Sequence, residues 1–312
     1  MEKQKLLNAF ENYSKNAKKS IIESQLNNNE FFMTWEITNL CNFSCDYCQN
    51  SAKKTQKKEN PRTHQEIVNA FNNTKKKWFI NITGGEPLIY PGFLELVSEL
   101  SINHYISIDT NLSTDDVYKL PNIKNPKNLM GIFSGVHFAD RDKYKSNLDD
   151  YIKKVRFLQD KEIMVFASCI AFPDAYEDAK NQIDYLIDNG IKFISPKLYI
   201  GEYKGKYYPY DYNKQYLKKM ETLKTCFEFD FIEFDRKTKG KTCLSGKKYF
   251  YMDKDDDLSR CSTISTKLGN FFTDDFDTIL ITKKCTADLC ILAFEGIFLT
   301  KRNKKCVIRN LF

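Results

Sequence analysis

The chain has 312 residues, 42% of them hydrophobic, with 24 Phe and 18 Tyr, enough for one large core and a smaller unit beside it. Its 48 Lys and Arg against 41 Asp and Glu leave a net charge of +7, gathered in short patches such as Lys53, Lys54, Lys57 and Lys58. Such patches suit solvated faces better than a nucleic-acid surface. No apolar run is long enough to span a membrane, and the polar, Lys-rich opening lacks the apolar middle of a signal peptide, so the sequence places the chain in the cytoplasm.

Residues 1–30 read as an N-terminal extension, helical over 1–27. A strand is predicted at 31–38, then a helix at 61–76 opened by a Thr63/Glu66 capping box. A strand (78–82), a helix (91–101), a strand (105–110) and a short helix near 113–119 follow. Next come a strand (130–138), a helix (147–160), a strand (162–172) and a helix (175–189) closed by Gly190. A strand at 191–200 and a helix from about 212 to 225 complete the pattern. Six β-runs alternating with helices imply parallel strands and right-handed crossovers, hence a partial (β/α)6 TIM-like barrel over 31–229. Its working residues belong at the carboxyl ends of the strands. Beyond about 230 no long amphipathic helix appears and cysteines recur, which marks 230–312 as a small C-terminal domain.

The ten cysteines need an account, because in a reducing compartment clustered thiols point to metal or catalysis rather than disulfides. Cys41, Cys45 and Cys48 follow directly on the first strand, where three thiolates on one short loop can converge on a cubane and leave its fourth iron open. A zinc site would want a fourth ligand close by, and His64 is the nearby histidine. At the end of the second strand, Gly84 and Gly85 let backbone approach a ligand and expose N–H and C=O groups, with Glu86 as an acceptor for a cationic group. Asn111 follows the third strand, and Ser134 and His137 lie on or just after the fourth. His137 is a candidate for catalysis or a satisfied hydrogen-bonder, and Cys169 a hydrogen-atom donor or a buried small hydrophobe.

The CxxxCxφC pattern, with Tyr47 at the aromatic position, and the Gly84-Gly85-Glu86 step resemble the radical S-adenosylmethionine (SAM) superfamily. The resemblance implies a [4Fe-4S] cluster on Cys41, Cys45 and Cys48, and SAM on its open iron. It further implies Tyr47 near the adenine, the Gly84–Gly85–Glu86 step at the SAM amino group, and Asn111 and Ser134 in the cofactor site. Reductive cleavage of SAM and hydrogen abstraction from substrate would follow, with a flavodoxin- or ferredoxin-like electron donor.

In the tail, Cys243 and Cys261 bracket a hairpin-like stretch and Cys285 and Cys290 form a pair, with Cys226 and Cys306 flanking. This resembles a twitch domain, a short relative of the SPASM domain, and implies an auxiliary [4Fe-4S] cluster; a structural zinc site is the rival. The Cys285–Cys290 spacing is wider than the family's CxxC. The subgroup's substrates are small polar molecules, sugar- or aminocyclitol-like and oxidised, or ribosomally made peptides that are epimerised or cross-linked. The early position of the Cys41 loop leaves no fused peptide-recognition domain before it and favours the small molecule. The Gly- and Tyr-rich stretch 195–212 is a candidate substrate loop. A non-catalytic zinc or iron–sulfur module is the contrasting class.

Overall fold

Alternating strand and helix propensity is realised as a parallel sheet with helices along one face. The computed structural model describes residues 29–48, 62–144, 147–194, 196–220, 222–223, 238–281 and 283–288. The helix expected over 1–27, the start of the helix expected from 61, the end of the one expected to 225, and Cys226, Cys290 and Cys306 lie outside the described residues.

In chain order the main elements are β1 (Glu30–Thr38), α1 (His64–Asn73), β2 (Lys77–Gly84), α2 (Phe93–Asn103), β3 (Tyr105–Thr110) and β4 (Leu129–Gly135). They continue with α3 (Leu148–Asp160), β5 (Val165–Ser168), β6 (Ile170–Ala171), α4 (Tyr176–Asp188) and β7 (Lys197–Leu198). The hairpin β8 (Gly201–Tyr203) and β9 (Lys206–Tyr208), then α5 (Lys214–Met220), lead to the tail strands β10 (Thr242–Cys243), β11 (Tyr249–Met252), β12 (Asp257–Cys261), β13 (Ile264–Asn270) and β14 (Lys283–Lys284). Thr63 caps α1 as expected: its hydroxyl accepts from the Glu66 amide, and its own amide donates to the Glu66 carboxylate at 2.7 Å. The segment expected as a short helix near 113–119 is a 3-10 helix, Asp115–Asn122, with Pro121 inside it.

β1 to β5 lie side by side in order, all parallel, and β6 and β7 form a short parallel pair after them. This is the open, partial barrel that the alternation predicted. The expected sixth strand is reduced to β7 and a bridge from Ile194 to Ala167. The chain after β7 turns back as the β8–β9 hairpin, which was not expected. Lys204 and Gly205 at its tip both have positive φ, as a two-residue type I′ turn requires.

On the helix-facing side of the sheet, Ile80, Ile82, Ile106, Ile108 and Ile132 are at most 1% exposed and pack with Phe71, Leu96, Leu100, Val155 and Leu158. Each such side chain contributes about 1.5–3 kcal/mol. The sheet also runs through the boundary expected near 230. β11 pairs in parallel with β1, and β12 and β13 follow antiparallel, so tail residues extend the barrel's first edge. Phe271 and Phe276 then meet Trp78 at ring distances of 5.8 and 5.2 Å, inside the main core. Among the described residues no helix is long and apolar enough to cross a membrane.

His104, 2% exposed at the end of α2, accepts the Trp78 amide on Nδ1 at 3.4 Å. Burial, helped by Lys77, depresses its pKa from 6.5 to about 4. A depressed base binds protons in the unfolded chain before the folded one, so its stabilising contribution is lost as pH falls from 6.5 toward 4. Urea unfolding across that window should lose up to about 3 kcal/mol from this group, and His104→Phe should flatten that part of the profile. An unaltered pH profile in His104→Phe would exclude the residue as its source.

Candidate active site

Thr38 ends β1 and opens the cysteine loop, whose path is fixed by its neighbours. Its Oγ1 accepts from the Leu40 amide at 3.1 Å. Its carbonyl accepts from Gly85 N–H at 2.7 Å, and the Leu40 carbonyl accepts from Glu86 N–H at 2.8 Å. The two glycines make room for this contact. A Cβ on Gly84, where φ is +150°, would lie 2.2 Å from the Thr38 oxygen, and one on Gly85 2.0 Å from the Leu40 oxygen. No side chain fits at either place. The Gly85 and Glu86 amides thus clamp the cysteine loop.

The Glu86 carboxylate, expected to meet a cationic group, turns inward. It is 0% exposed and accepts from Leu88 N–H at 3.0 Å, Thr110 Oγ1 at 2.6 Å and Asn111 N–H at 2.6 Å. Burial raises its pKa to about 7, against the pull of those three donors. It therefore ties the ends of β2 and β3 together. Asn111 Nδ2 donates to Asn42 Oδ1 at 3.0 Å, and Asn42 Nδ2 to Ser113 Oγ at 2.6 Å, which fastens the loop to the end of β3.

Within the loop, Phe43 N–H donates to Cys41 Sγ at 3.3 Å and Cys48 N–H to the Cys45 carbonyl at 3.1 Å. Cys45 is buried, Cys41 and Cys48 half-buried, and none of the three is in a disulfide. Cys45 Sγ is 3.4 Å from His137 Nδ1, and the same nitrogen lies 2.5 Å from the Tyr47 hydroxyl. The Tyr47 and His137 rings stack at 5.9 Å, and burial, then Cys45, raises the Tyr47 pKa. His137 holds this place at a cost: its φ is +54°, and a Cβ on Gly135 would lie 2.3 Å from its Nε2. Cys45, His137 and Asp140 bring one donor atom each within 4.8 Å of one another.

Arg141, which the sequence did not single out, is 0% exposed beneath the loop. Its guanidinium donates to the carbonyls of Val136, Asn111 and Gly135, and packs on the Tyr151 and Phe43 rings at 4.1 and 5.7 Å. Burial lowers its pKa to about 10. It gathers the carbonyl ends of β3 and β4.

The structure does not bring every candidate into this group. Ser134 shares the helix-facing side of β4 with Ile132 and is 0% exposed. Cys169, between β5 and β6, is 2% exposed with a pKa pushed up to about 12 by burial, a neutral thiol. The loop over 195–212 does reach the site, since Tyr199 stacks on Phe172 at 5.0 Å and Phe172 meets the Tyr47 ring edge-on at 5.8 Å.

In the tail, Cys243 and Cys261 are buried together with Phe32 and Tyr249. Cys285 lies just beyond β14, whose Lys283 and Lys284 pair with Cys243 and Thr242. Arg260 draws this region together through the carbonyls of Ser245, Lys284 and Lys283. The register sets Cys261 level with Tyr249 and Phe32, at the amino end of β1, whereas Cys41 follows its carboxyl end.

Three soft sulfur donors on one short loop, held by a backbone clamp rather than by disulfides, fit an iron–sulfur centre. Residues 35–196 match the family described as Radical SAM superfamily. A 7-carboxy-7-deazaguanine synthase of Clostridium acetobutylicum is 26% identical over 164 residues, 50% of this chain and 68% of that protein. Mycofactocin maturase MftC of Mycobacterium ulcerans is 33% identical over 92 residues, 29% of this chain and 24% of its own length. The solved structure of anSMEcpe with bound AdoMet and Kp18Cys peptide superposes with a TM-score of 0.60 at 17% identity, covering 89% of this chain and 85% of that one, a likeness of fold.

Proposed function

Because the chain belongs to the radical SAM superfamily, we propose that Cys41, Cys45 and Cys48 hold its [4Fe-4S] cluster and that the enzyme modifies a peptide. The observation that carries the site is the double backbone clamp, Gly85 to Thr38 and Glu86 to Leu40, which sets the cysteine loop over the carboxyl end of the sheet. When bound, the cluster supplies the electron for reductive cleavage of SAM, which starts hydrogen abstraction from the substrate.

The chain's own residues prepare the place. His137 and Phe172 hold the Tyr47 ring, and His137 sits against Cys45. Hydrogen bonds to cluster sulfurs are one means of setting a reduction potential. Glu86 and Arg141 act as positioning residues, holding strand ends in register beneath the loop. Tail residues Cys243, Cys261, Cys285 and Cys290 hold the auxiliary cluster in this proposal, supported by the joint burial of Cys243 and Cys261.

The peptide assignment is supported by a relative named as a maturase and by the peptide in the anSMEcpe structure. A small polar substrate, sugar- or aminocyclitol-like, is the second reading, favoured by the partly exposed Asn81, Thr83, Ser107 and Asp109 on the face of β2 and β3 turned away from the helices. The test is anaerobic reconstitution, then dithionite in place of a flavodoxin- or ferredoxin-like donor, SAM, and any short peptide found encoded next to the gene; the absence of one would count against the peptide assignment. The expected result is 5′-deoxyadenosine together with a changed peptide mass. Release of 5′-deoxyadenosine with the peptide unaltered would overturn the peptide assignment, and no release at all would overturn the chemistry.

A further inference from the structure

His137 sits where its own backbone resists it. A φ of +54° belongs to the left-handed region, which a ring-bearing residue enters only when its surroundings hold it there. Here a tight turn does so, since the His137 carbonyl accepts from the Asp140 amide at 2.9 Å and the Arg141 amide at 3.1 Å. Gly135 leaves the ring its space. The imidazole then meets Phe43 edge-on at 5.5 Å and stacks on Tyr47. Strain of this kind gathers at functional sites.

Three polar groups converge at the ring. His137 Nδ1 lies 2.5 Å from the Tyr47 hydroxyl and 3.4 Å from Cys45 Sγ, and the Tyr47 hydroxyl also hydrogen-bonds the Cys45 side chain. Counting protons decides how they are arranged. A thiolate bound to iron only accepts, a phenol offers one O–H, and a neutral imidazole offers one N–H. Were Tyr47 to give its proton to Nδ1, the sulfur would face two lone pairs with no hydrogen from either group. With the proton on Nδ1 instead, the imidazole donates to the phenol oxygen and the phenol O–H is free to point at sulfur. Every contact is then satisfied. Negative charge on the sulfur favours this order, because hydrogen bonds to an ionised acceptor are about twice as strong as neutral ones.

We infer that His137 Nδ1–H to Tyr47 Oη and Tyr47 Oη–H to Cys45 Sγ form an ordered relay that raises the reduction potential of the cluster on the cysteine loop, with His137 as its positioning residue. This rests on the assignment of that cluster to Cys41, Cys45 and Cys48. A hydrogen bond withdraws electron density from a cluster sulfur and so favours the reduced state. Donors in a chain polarise one another, and the imidazole thereby strengthens the bond that the phenol makes. The aromatic position before Cys48 contributes a polar atom that Phe would lack.

The test is an EPR-monitored reductive titration of the anaerobically reconstituted protein, following the signal that SAM perturbs. Tyr47→Phe removes one oxygen atom and keeps the ring, and its midpoint is expected to move to a more negative potential. His137→Asn, chosen because Asn tolerates the same φ, should move the midpoint the same way by a smaller amount. The double variant should match Tyr47→Phe alone, because His137 acts through the phenol. Wild-type midpoints in both single variants overturn the relay, and so do shifts that add in the double variant. Loss of iron from His137→Asn with an unaltered circular dichroism spectrum overturns it too, since Cys45, His137 and Asp140 would then be a ligand set. Should His137→Asn misfold, the midpoint of Tyr47→Phe decides alone. Iron content of the wild type is read separately: full loading with unshifted midpoints leaves the cluster assignment standing and removes the relay, whereas no loading removes both.

Discussion

Cys45→Ala is expected to remove about four iron atoms per reconstituted chain. With dithionite and SAM, its 5′-deoxyadenosine release should fall to background. Loss of a residue that merely supports a metal ligand commonly costs about 10–100-fold, so loss of a ligand should exceed that. Cys45 is also the most enclosed of the three thiols and the one in contact with His137. The substitution would also strip His137 Nδ1 of its 3.4 Å contact with sulfur while leaving the Tyr47 hydroxyl beside it. Retention of full iron and of product release in Cys45→Ala would break the assignment of the loop.

Gly85→Ala should be nearly as severe although it alters no ligand. Its Cβ would fall 2.0 Å from the Leu40 oxygen, 2.4 Å from the Leu40 carbonyl carbon and 2.8 Å from the Asn39 oxygen. All three are backbone atoms, so no rotamer change can relieve the clash, and the cysteine loop itself must move. Both clamp hydrogen bonds go with it. The expected cost is at least about 3 kcal/mol of stability, together with poor iron loading. Gly190→Ala is the contrast: its φ is +76° but nothing lies within 4 Å, so only the left-handed backbone cost of about 1–2 kcal/mol applies. Thermal unfolding and iron content of the two variants check the difference. Equal effects would show that close approach at Gly85 is not what demands a glycine.

Much of this was legible in the sequence because the signals are local. The Thr63/Glu66 cap, the strand–helix alternation, the cysteines after β1 and the glycines ending β2 each depend on residues a few positions apart. Ser134, read as a cofactor-site residue, shares parity with Ile132 and lies on the helix-facing side, an alternation that the sequence already displayed. The direction of the Glu86 carboxylate was not, because strand alternation ends at the two glycines before it. Arg141 sits in a stretch, FADRDKY, that reads as surface; only the convergence of the β3 and β4 carbonyl ends gives it a buried role. The union of β11 with β1 left no trace in the sequence, as parallel pairing has no turn signature of its own.

That union also governs how the chain reaches its native state. Tyr249 and Thr34, joined by a hydrogen bond at 2.9 Å, are 215 positions apart. During synthesis β1 therefore waits with one flank unpaired until residues 249–252 have emerged, and its FFMTW core is the kind of segment that seeks another strand. Such distant closure slows folding, and a nascent chain halted before residue 249 presents a sticky edge to its neighbours. Expression yield should thus depend on how quickly β11 follows, more than on the pairing of β2 to β5 among themselves.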